Sequence, residues 1–266
     1  MYVCPLTQRS LRGWRSPSGV TFPMWDGIPV LMAEPEVFVA NSEKGTAPTD
    51  LFTPFASPSM LQLPDAVGSA LGSETRTPDG LATAWATQHA PPGPALDAGC
   101  GLAGMALRMA SRGRSTWAVD RDPHALVMAR DVLLGRIREV PGPDGHTMQP
   151  LPVLPLRPGQ VNFAIADLCQ PPFAAASFAW IHLGAVPLSA PLLSTVSSLL
   201  VKGGLLTIMT AHREDPTRGA GWLEAQVNQQ GLAVVATGAN IAQVRWEDPW
   251  RLTIDLVEGV AARRGR

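Results

Sequence analysis

The chain has 266 residues, 45% of them hydrophobic and 16% charged, which is enough to bury a core without disulfides or a structural metal. Twenty-one basic and 22 acidic residues leave a net charge of −1, which argues against a strongly basic nucleic-acid binder. No apolar run approaches the roughly 18 residues of a membrane span. The N-terminus MYVCPLTQRS has no signal-peptide core, and three cysteines without a Cys-x-x-Cys pattern fit a reducing, cytoplasmic compartment.

Three stretches follow one another along the chain. Residues 1–37 hold short apolar pieces, Val20–Phe22 and Ile28–Met32, set between Pro17, Gly19, Pro23, Gly27 and Pro29. That punctuation predicts small β-hairpins. Residues 38–75, with Pro48, Pro54, Pro58 and Pro64, read as a linker with one short helix near Asp65–Leu71. From 76 to 266 helices and strands alternate. Strands are expected at Ala95–Asp97, Thr116–Asp120, Val161–Ala166, Phe178–Leu183 and Leu205–Thr210. The helices between them are Leu102–Ser111, a segment from Pro123 with a stripe through Leu126, Ala129, Leu133 and Ile137, and Pro191–Leu200, ended by Gly203–Gly204. Val140–Gln160 is a proline-rich surface excursion. A helix at Gly221–Gln230 stops at Gly231, and further strands lie within Leu232–Val235, Ile241–Trp246 and Arg251–Val257, the last two an antiparallel hairpin. The fold class is α/β: a Rossmann-like, seven-stranded, mostly parallel sheet with helices on both faces, plus a small β-rich N-terminal domain.

The densest signal is Ala95-Leu-Asp-Ala-Gly-Cys-Gly-Leu-Ala-Gly104. Gly99, Gly101 and Gly104 satisfy G-x-G-x-x-G, and Asp120 follows at the distance a dinucleotide fingerprint asks. Glycines let a ligand lie against the turn with a helix N-terminus nearby. Asp97 separates two ligand classes. A pyrophosphate gains nothing from an adjacent carboxylate, whereas a ligand with a cationic end does.

LDAGCGLAG resembles the first motif of class I S-adenosylmethionine-dependent methyltransferases. Asp120, ending WAVD, is similar to that family's second motif, the acid that accepts the ribose hydroxyls. IADL, ending in Asp167-Leu168, is similar to the segment whose acid meets the adenine amino group. Phe178–Leu183 and LLVKGGLLTIM match the fourth strand and the segment into the fifth. The resemblance spans about 75–215. It implies S-adenosylmethionine as cofactor, held by Asp97, Gly99, Cys100, Gly101, Asp120, Arg121, Asp167 and Leu168. Two departures are visible: the family's third glycine falls on Ala103, and Ala179 stands where an acid often follows the phenylalanine. Plainer roles stay open. Asp120 could cap the helix that starts near Pro123, Asp167 could be a turn residue, and Cys100 and Cys169 could be small buried hydrophobes.

The N-terminal piece resembles the small zinc-ribbon-like activator domain of tRNA and protein methyltransferases, through Gly19, Phe22, Pro23, Asp26, Gly27, Ile28 and Pro29. Of the four ligand positions only Cys4 is a cysteine; the others are Thr7, Arg15 and Ser18. One thiolate cannot hold a tetrahedral structural zinc, so no metal is expected. Ribosomal RNA guanine methyltransferases share this layout, but net charge −1 weakens that analogy.

Transfer of a sulfonium methyl needs a nucleophile held close to it and water kept out; a base is needed only for a protonated acceptor. His182, near the end of the fourth strand, and His212, after the fifth, are the candidate catalytic residues. Trp180, Trp246 and Trp250 are candidate pocket-lining residues, against a plainer role in the core. The expected function is methyl transfer to an oxygen or nitrogen of a small-molecule acceptor. The alternatives are an RNA or protein methyltransferase docking through its N-terminal domain, and a catalytically inactive partner subunit.

Overall fold

The computed structural model describes residues 2–44, 77–141, 148–151, 156, 159–184, 186–211, 220–248 and 251–265. The chain opens with turns and two short strands, β1 (Met24–Trp25) and β2 (Ile28–Pro29), then helix α1 (Pro35–Lys44). After α2 (Pro78–His89) come β3 (Ala95–Ala98), α3 (Gly104–Ser111), β4 (Thr116–Asp120) and α4 (Pro123–Leu133). A small hairpin of β5 (Glu139–Pro141) and β6 (Met148–Pro150) leads to β7 (Val161–Ile165), β8 (Phe178–Gly184), α5 (Ala190–Leu199) and β9 (Leu200–Ala211). The chain closes with α6 (Ala220–Gln229), β10 (Leu232–Asp248) and β11 (Arg251–Arg264).

The seven-stranded sheet has the order β10-β11-β9-β8-β3-β4-β7. The contacts of β3 with β4 and β8, of β4 with β7 and of β8 with β9 are parallel. β11 runs antiparallel between β9 and β10, so the hairpin closes the sheet as the turn before Arg251 implied. Period-two alternation sends neighbours to opposite faces. Leu96, Ile181, Leu183, Leu206 and Ile208 join Leu192, Val196, Leu223 and Val227 of α5 and α6 in one core cluster. On the other face Ala95, Trp180, Leu205 and Met209 meet α2 and α3 through Ala82, Trp85, Met105 and Met109. Among the described residues no helix is long and apolar enough to cross a membrane.

The N-terminal segment packs into this sheet. Val30 bridges Ile165 in parallel, the Leu31 amide donates to the Ile165 carbonyl at 2.8 Å, and Tyr2 bridges Phe173. Cys4, Phe22 and Leu31 belong to the main core cluster. This cover over the edge strand β7 satisfies backbone groups that would otherwise be exposed for pairing.

Several boundaries differ from the sequence reading. Gly203 and Gly204 lie inside β9 and do not end a helix. Gly203 has φ +74, and a Cβ on Gly204 would fall 3.2 Å from the Phe178 carbonyl, so the pair makes a bulge where the register with β8 shifts. α4 ends at Leu133, with Gly135 at φ +66, so Ile137 lies beyond its stripe. β10 is one strand with irregularities between Val234 and Ala236, Gly238 and Ile241, and Trp246 and Asp248. α1 runs across the expected start of the linker. α2 was not anticipated, although Thr77 caps it by accepting from the Gly80 amide at 3.1 Å and Pro78 opens it. The helix expected near Asp65–Leu71 lies outside the described residues.

Candidate functional site

The site is built at the carboxyl edge of β3, where the chain turns sharply into α3. Gly99 and Gly101 take φ of +72 and +49, which glycine adopts without steric cost. The amides of Gly99 and Cys100 both donate to the Val119 carbonyl, at 2.8 and 3.1 Å, tying the turn to β4. Ala103 takes φ +57 and stands before α3 without a side-chain cap. That is a left-handed conformation, which alanine adopts only at a steric cost.

Asp97 supplies the missing cap from outside the helix. Its Oδ2 accepts from the Ala106 amide at 2.8 Å, and the residue is 3% exposed. Burial pushes its carboxyl group well above the usual range, Asp79 and Asp120 push the same way, and the Ala106 amide opposes them. Among the described residues no cationic group is among the causes that act on it.

Asp120 joins two loops. Its Oδ2 accepts from the Gly101 amide at 2.7 Å and its Oδ1 from the Asp122 amide at 2.9 Å. The cap of α4 is Asp122, which accepts from the amides of His124 and Ala125 at 2.9 and 3.2 Å. Asp120 is thus free of the capping role that the sequence left open. Asp167 forms a turn, its Oδ1 accepting from the Cys169 amide at 2.8 Å. Arg121 is exposed and acts on the nearby Cys169 thiol. Leu168 comes to the turn itself: its Cδ1 would lie 3.7 Å from a Cβ on Gly99. Burial, then Asp97 and Asp120, push the Cys100 thiol well up, and its side chain packs beside Ile28 and Val30 of the N-terminal segment. That is the behaviour of a small apolar group.

His182 sits opposite Asp97 on one side and Thr207 on the other. It is 2% exposed, and its Nδ1 lies 3.0 Å from Thr207 Oγ1. Burial lowers its pKa to about 4, with Asp79 opposing, so the ring is neutral at physiological pH and a weak base. Trp180 is buried in the core, donates to Thr207 Oγ1 at 2.9 Å and carries the Arg114 guanidinium over its ring. It is a core residue and not a pocket wall. His212 and Trp250 lie outside the described residues, as does the side chain of Trp246.

Four residues here escaped the sequence reading: Asp79, Gly184, Val186 and Thr207. Thr207 left a trace, a hydroxyl between Leu206 and Ile208 in the apolar run of β9. Val186 left none, because its packing against Gly99 joins distant loops.

No protein-family model matches the sequence, and no curated protein matches it. Solved structures do. A putative sarcosine dimethylglycine methyltransferase from Galdieria sulphuraria aligns with TM-score 0.51 at 10% identity, over 70% of this chain and 85% of that one. A SAM-dependent methyltransferase from Methanosarcina mazei aligns with TM-score 0.50 at 15% identity, over 67% and 96%. The cyclase SpnF aligns with TM-score 0.50 at 15% identity, over 70% and 80%. Likeness at this level establishes the fold, and the cyclase shows that one fold carries different named activities.

Proposed function

We propose that the chain is an enzyme that transfers the methyl group of S-adenosylmethionine to a small-molecule acceptor. The observation that carries this reading is Asp97, a carboxylate buried at the glycine turn with other acids acting on it and, among the described residues, no cation offsetting them. A pyrophosphate would add negative charge beside it. An ammonium or sulfonium would supply the opposite charge. S-adenosylmethionine, when bound, supplies an activated methyl and its leaving group.

In this reading the chain's own residues take the following roles. The carboxylate of Asp120 is oriented by the Gly101 and Asp122 amides and keeps lone pairs for ribose hydroxyls. Asp167 and Leu168 would meet the adenine, and Leu168 lies against the turn. Cys100, Arg121 and the glycines shape the rim. His182 belongs to the other side of the turn, across Asp97. An acceptor that arrives deprotonated or as a neutral amine fits a site whose described histidine is a weak base.

We read residues 1–37 as a metal-free relative of the ribbon, acting as a buttress for β7. Supporting the buttress, Cys4 is fully buried in the main core cluster. A second reading has one specific observation in its favour. Arg12 and Arg15 face each other across a tight turn with Trp14 partly exposed between them. Exposed arginines beside an exposed indole suit docking of an RNA or protein substrate.

Calorimetric titration with S-adenosylhomocysteine, run beside NAD, tests the proposal. Micromolar binding of the first alone supports it. Binding of NAD alone, or of neither, removes it.

A further inference from the structure

Charge is spread unevenly around the glycine turn. From Leu168 to Val201 the chain holds no Asp, Glu, Lys or Arg, although 16% of all its residues are charged. That stretch supplies β8, the loop after it and α5. The carboxylates that act at the turn belong elsewhere, Asp79 to α2, Asp97 to β3 and Asp120 to β4. Asp167 lies just before the uncharged stretch begins.

Two apolar side chains stand on the uncharged side. Val186 follows β8 and packs onto Gly99 so closely that a Cβ there would overlap its Cγ2. Its loop is tied down beyond it: Leu188 packs against the main core cluster, and Ser189 caps α5 by accepting from the Leu192 amide at 3.3 Å. Trp222 stands in the first turn of α6. β10 is antiparallel to β11 and β11 to β9, so β9 and β10 run the same way, and α6 returns between them from the carboxyl edge. β8 is parallel to β9, so the first turn of α6 and the loop of Val186 share that edge. Both side chains are half-buried and pack against the same core cluster, the one that holds Leu192 of α5 and Leu223 of α6. The one charged residue of α6, Glu224, lies about 200° around the helix from Trp222.

We propose that Val186 and Trp222 form the specificity-determining wall for the methyl acceptor, and that the acceptor is an uncharged molecule with an apolar, aromatic face. The assignment rests on the proposed methyl-transfer reading, in which the cofactor takes the β3, β4 and β7 side of the turn. In the sheet order β8 and β9 lie on the other side of β3, and the carboxyl edge is where open α/β sheets bind ligands. A carboxylate or phosphate brought there gives up water and meets no cation among the described residues of β8, α5 and α6. An apolar body gains by leaving water, and an indole adds ring contact to an aromatic one.

Three probes of one shape isolate the charge: 2-naphthol, 6-hydroxy-2-naphthoate and protonated 6-(aminomethyl)-2-naphthol. Each is titrated calorimetrically into the protein saturated with S-adenosylhomocysteine. Wild type should bind 2-naphthol at least about tenfold more tightly than either ionised probe. Trp222→Ala should lose about tenfold for 2-naphthol, Trp222→Phe less than about threefold, and Val186→Thr at least about threefold. Trp222→Arg should bind the naphthoate more tightly than wild type does, a gain that a misfolded variant cannot give. Titration with S-adenosylhomocysteine, expected within about twofold of wild type, reports that each variant is folded.

Equal affinity for the three probes, tighter binding of an ionised one, or a folded Trp222→Ala that keeps its hold on 2-naphthol would overturn the wall. Wild type that holds S-adenosylhomocysteine and takes no naphthol overturns the wall alone. Wild type that fails to bind S-adenosylhomocysteine overturns the methyl-transfer reading, and the wall with it.

Discussion

Arg130, on the outer part of α4, grips Asp26 in the turn between β1 and β2. Its Nη2 lies 2.8 Å from Asp26 Oδ2, and its Nη1 donates to the Asp26 carbonyl. Asp131 accepts from the same guanidinium at 3.0 and 2.8 Å, holding it in place. Asp26 sits at φ +45, a left-handed conformation that a non-glycine residue keeps only when its surroundings hold it. Arg130 is 13% exposed and Asp26 62%, so the charge pair alone contributes no more than about 1 kcal/mol.

Arg130→Ala should therefore act locally. Amide hydrogen exchange at Val30 and Leu31, which dock on β7, should quicken while the amides of β3 and β8 stay protected. Unchanged exchange at Leu31 would mean that apolar packing alone holds the N-terminal segment.

Two acids two residues apart have different jobs, and substitution should separate them. Asp122→Ala removes the cap of α4 and should cost about 1 kcal/mol of stability with S-adenosylhomocysteine affinity intact. Asp120→Ala should weaken that affinity by about 1–3 kcal/mol, because ribose hydroxyls and the Gly101 amide both lose an acceptor. Urea titration and calorimetry on the same pair decide it. Equal effects on affinity would remove Asp120 from the site.

The sheet was legible in the sequence because each parallel strand is a short apolar run bounded by turn residues, as at Thr116–Asp120 and Phe178–Gly184. The glycine turn and its acids were legible because they cluster within one segment. What was hidden depends on distance along the chain. Gly203–Gly204 reads locally as a helix stop, and only the approach of the Phe178 carbonyl makes it a bulge. The burial of His182 and its bond to Thr207 join β8 to β9. A histidine at a strand end looks like an exposed base until the helix above it is in place. The Thr77-Pro78-Asp79 start of that helix was a readable cap, but the proline-rich residues before it obscured it.

Gly99 is constrained twice. Its φ of +72 disfavours any side chain, and a methyl group there would overlap Val186. Gly99→Ala should therefore destabilise by more than the about 1–2 kcal/mol that a left-handed alanine costs. Adding Val186→Ala should return the overlap part and leave the backbone part, so the double variant is more stable than the sum of the singles. Urea unfolding of the four proteins measures this. Strict additivity would show that the loop bearing Val186 yields freely.

His182 sets a direction for acid stability. In the unfolded chain its pKa is near 6.5, and burial in the folded chain lowers it to about 4. Between those values the unfolded state holds a proton that the folded state does not, so protonation favours unfolding. The contribution is absent above about pH 6.5, grows as pH falls, and levels off below about pH 4, where the folded ring also protonates. A difference of that size corresponds to about 3 kcal/mol. Asp97 works the other way: its raised pKa favours the folded state at low pH and costs stability as pH rises above the ordinary carboxylate range. The two slopes are separable by variant. His182→Leu should flatten the loss of stability between pH 6.5 and 4, and Asp97→Asn should flatten the opposing gain. Urea midpoints at half-unit pH steps read both. A His182→Leu profile parallel to wild type across that window would mean the folded imidazole titrates as it does in water, and the bond from Thr207 would then have to be redrawn.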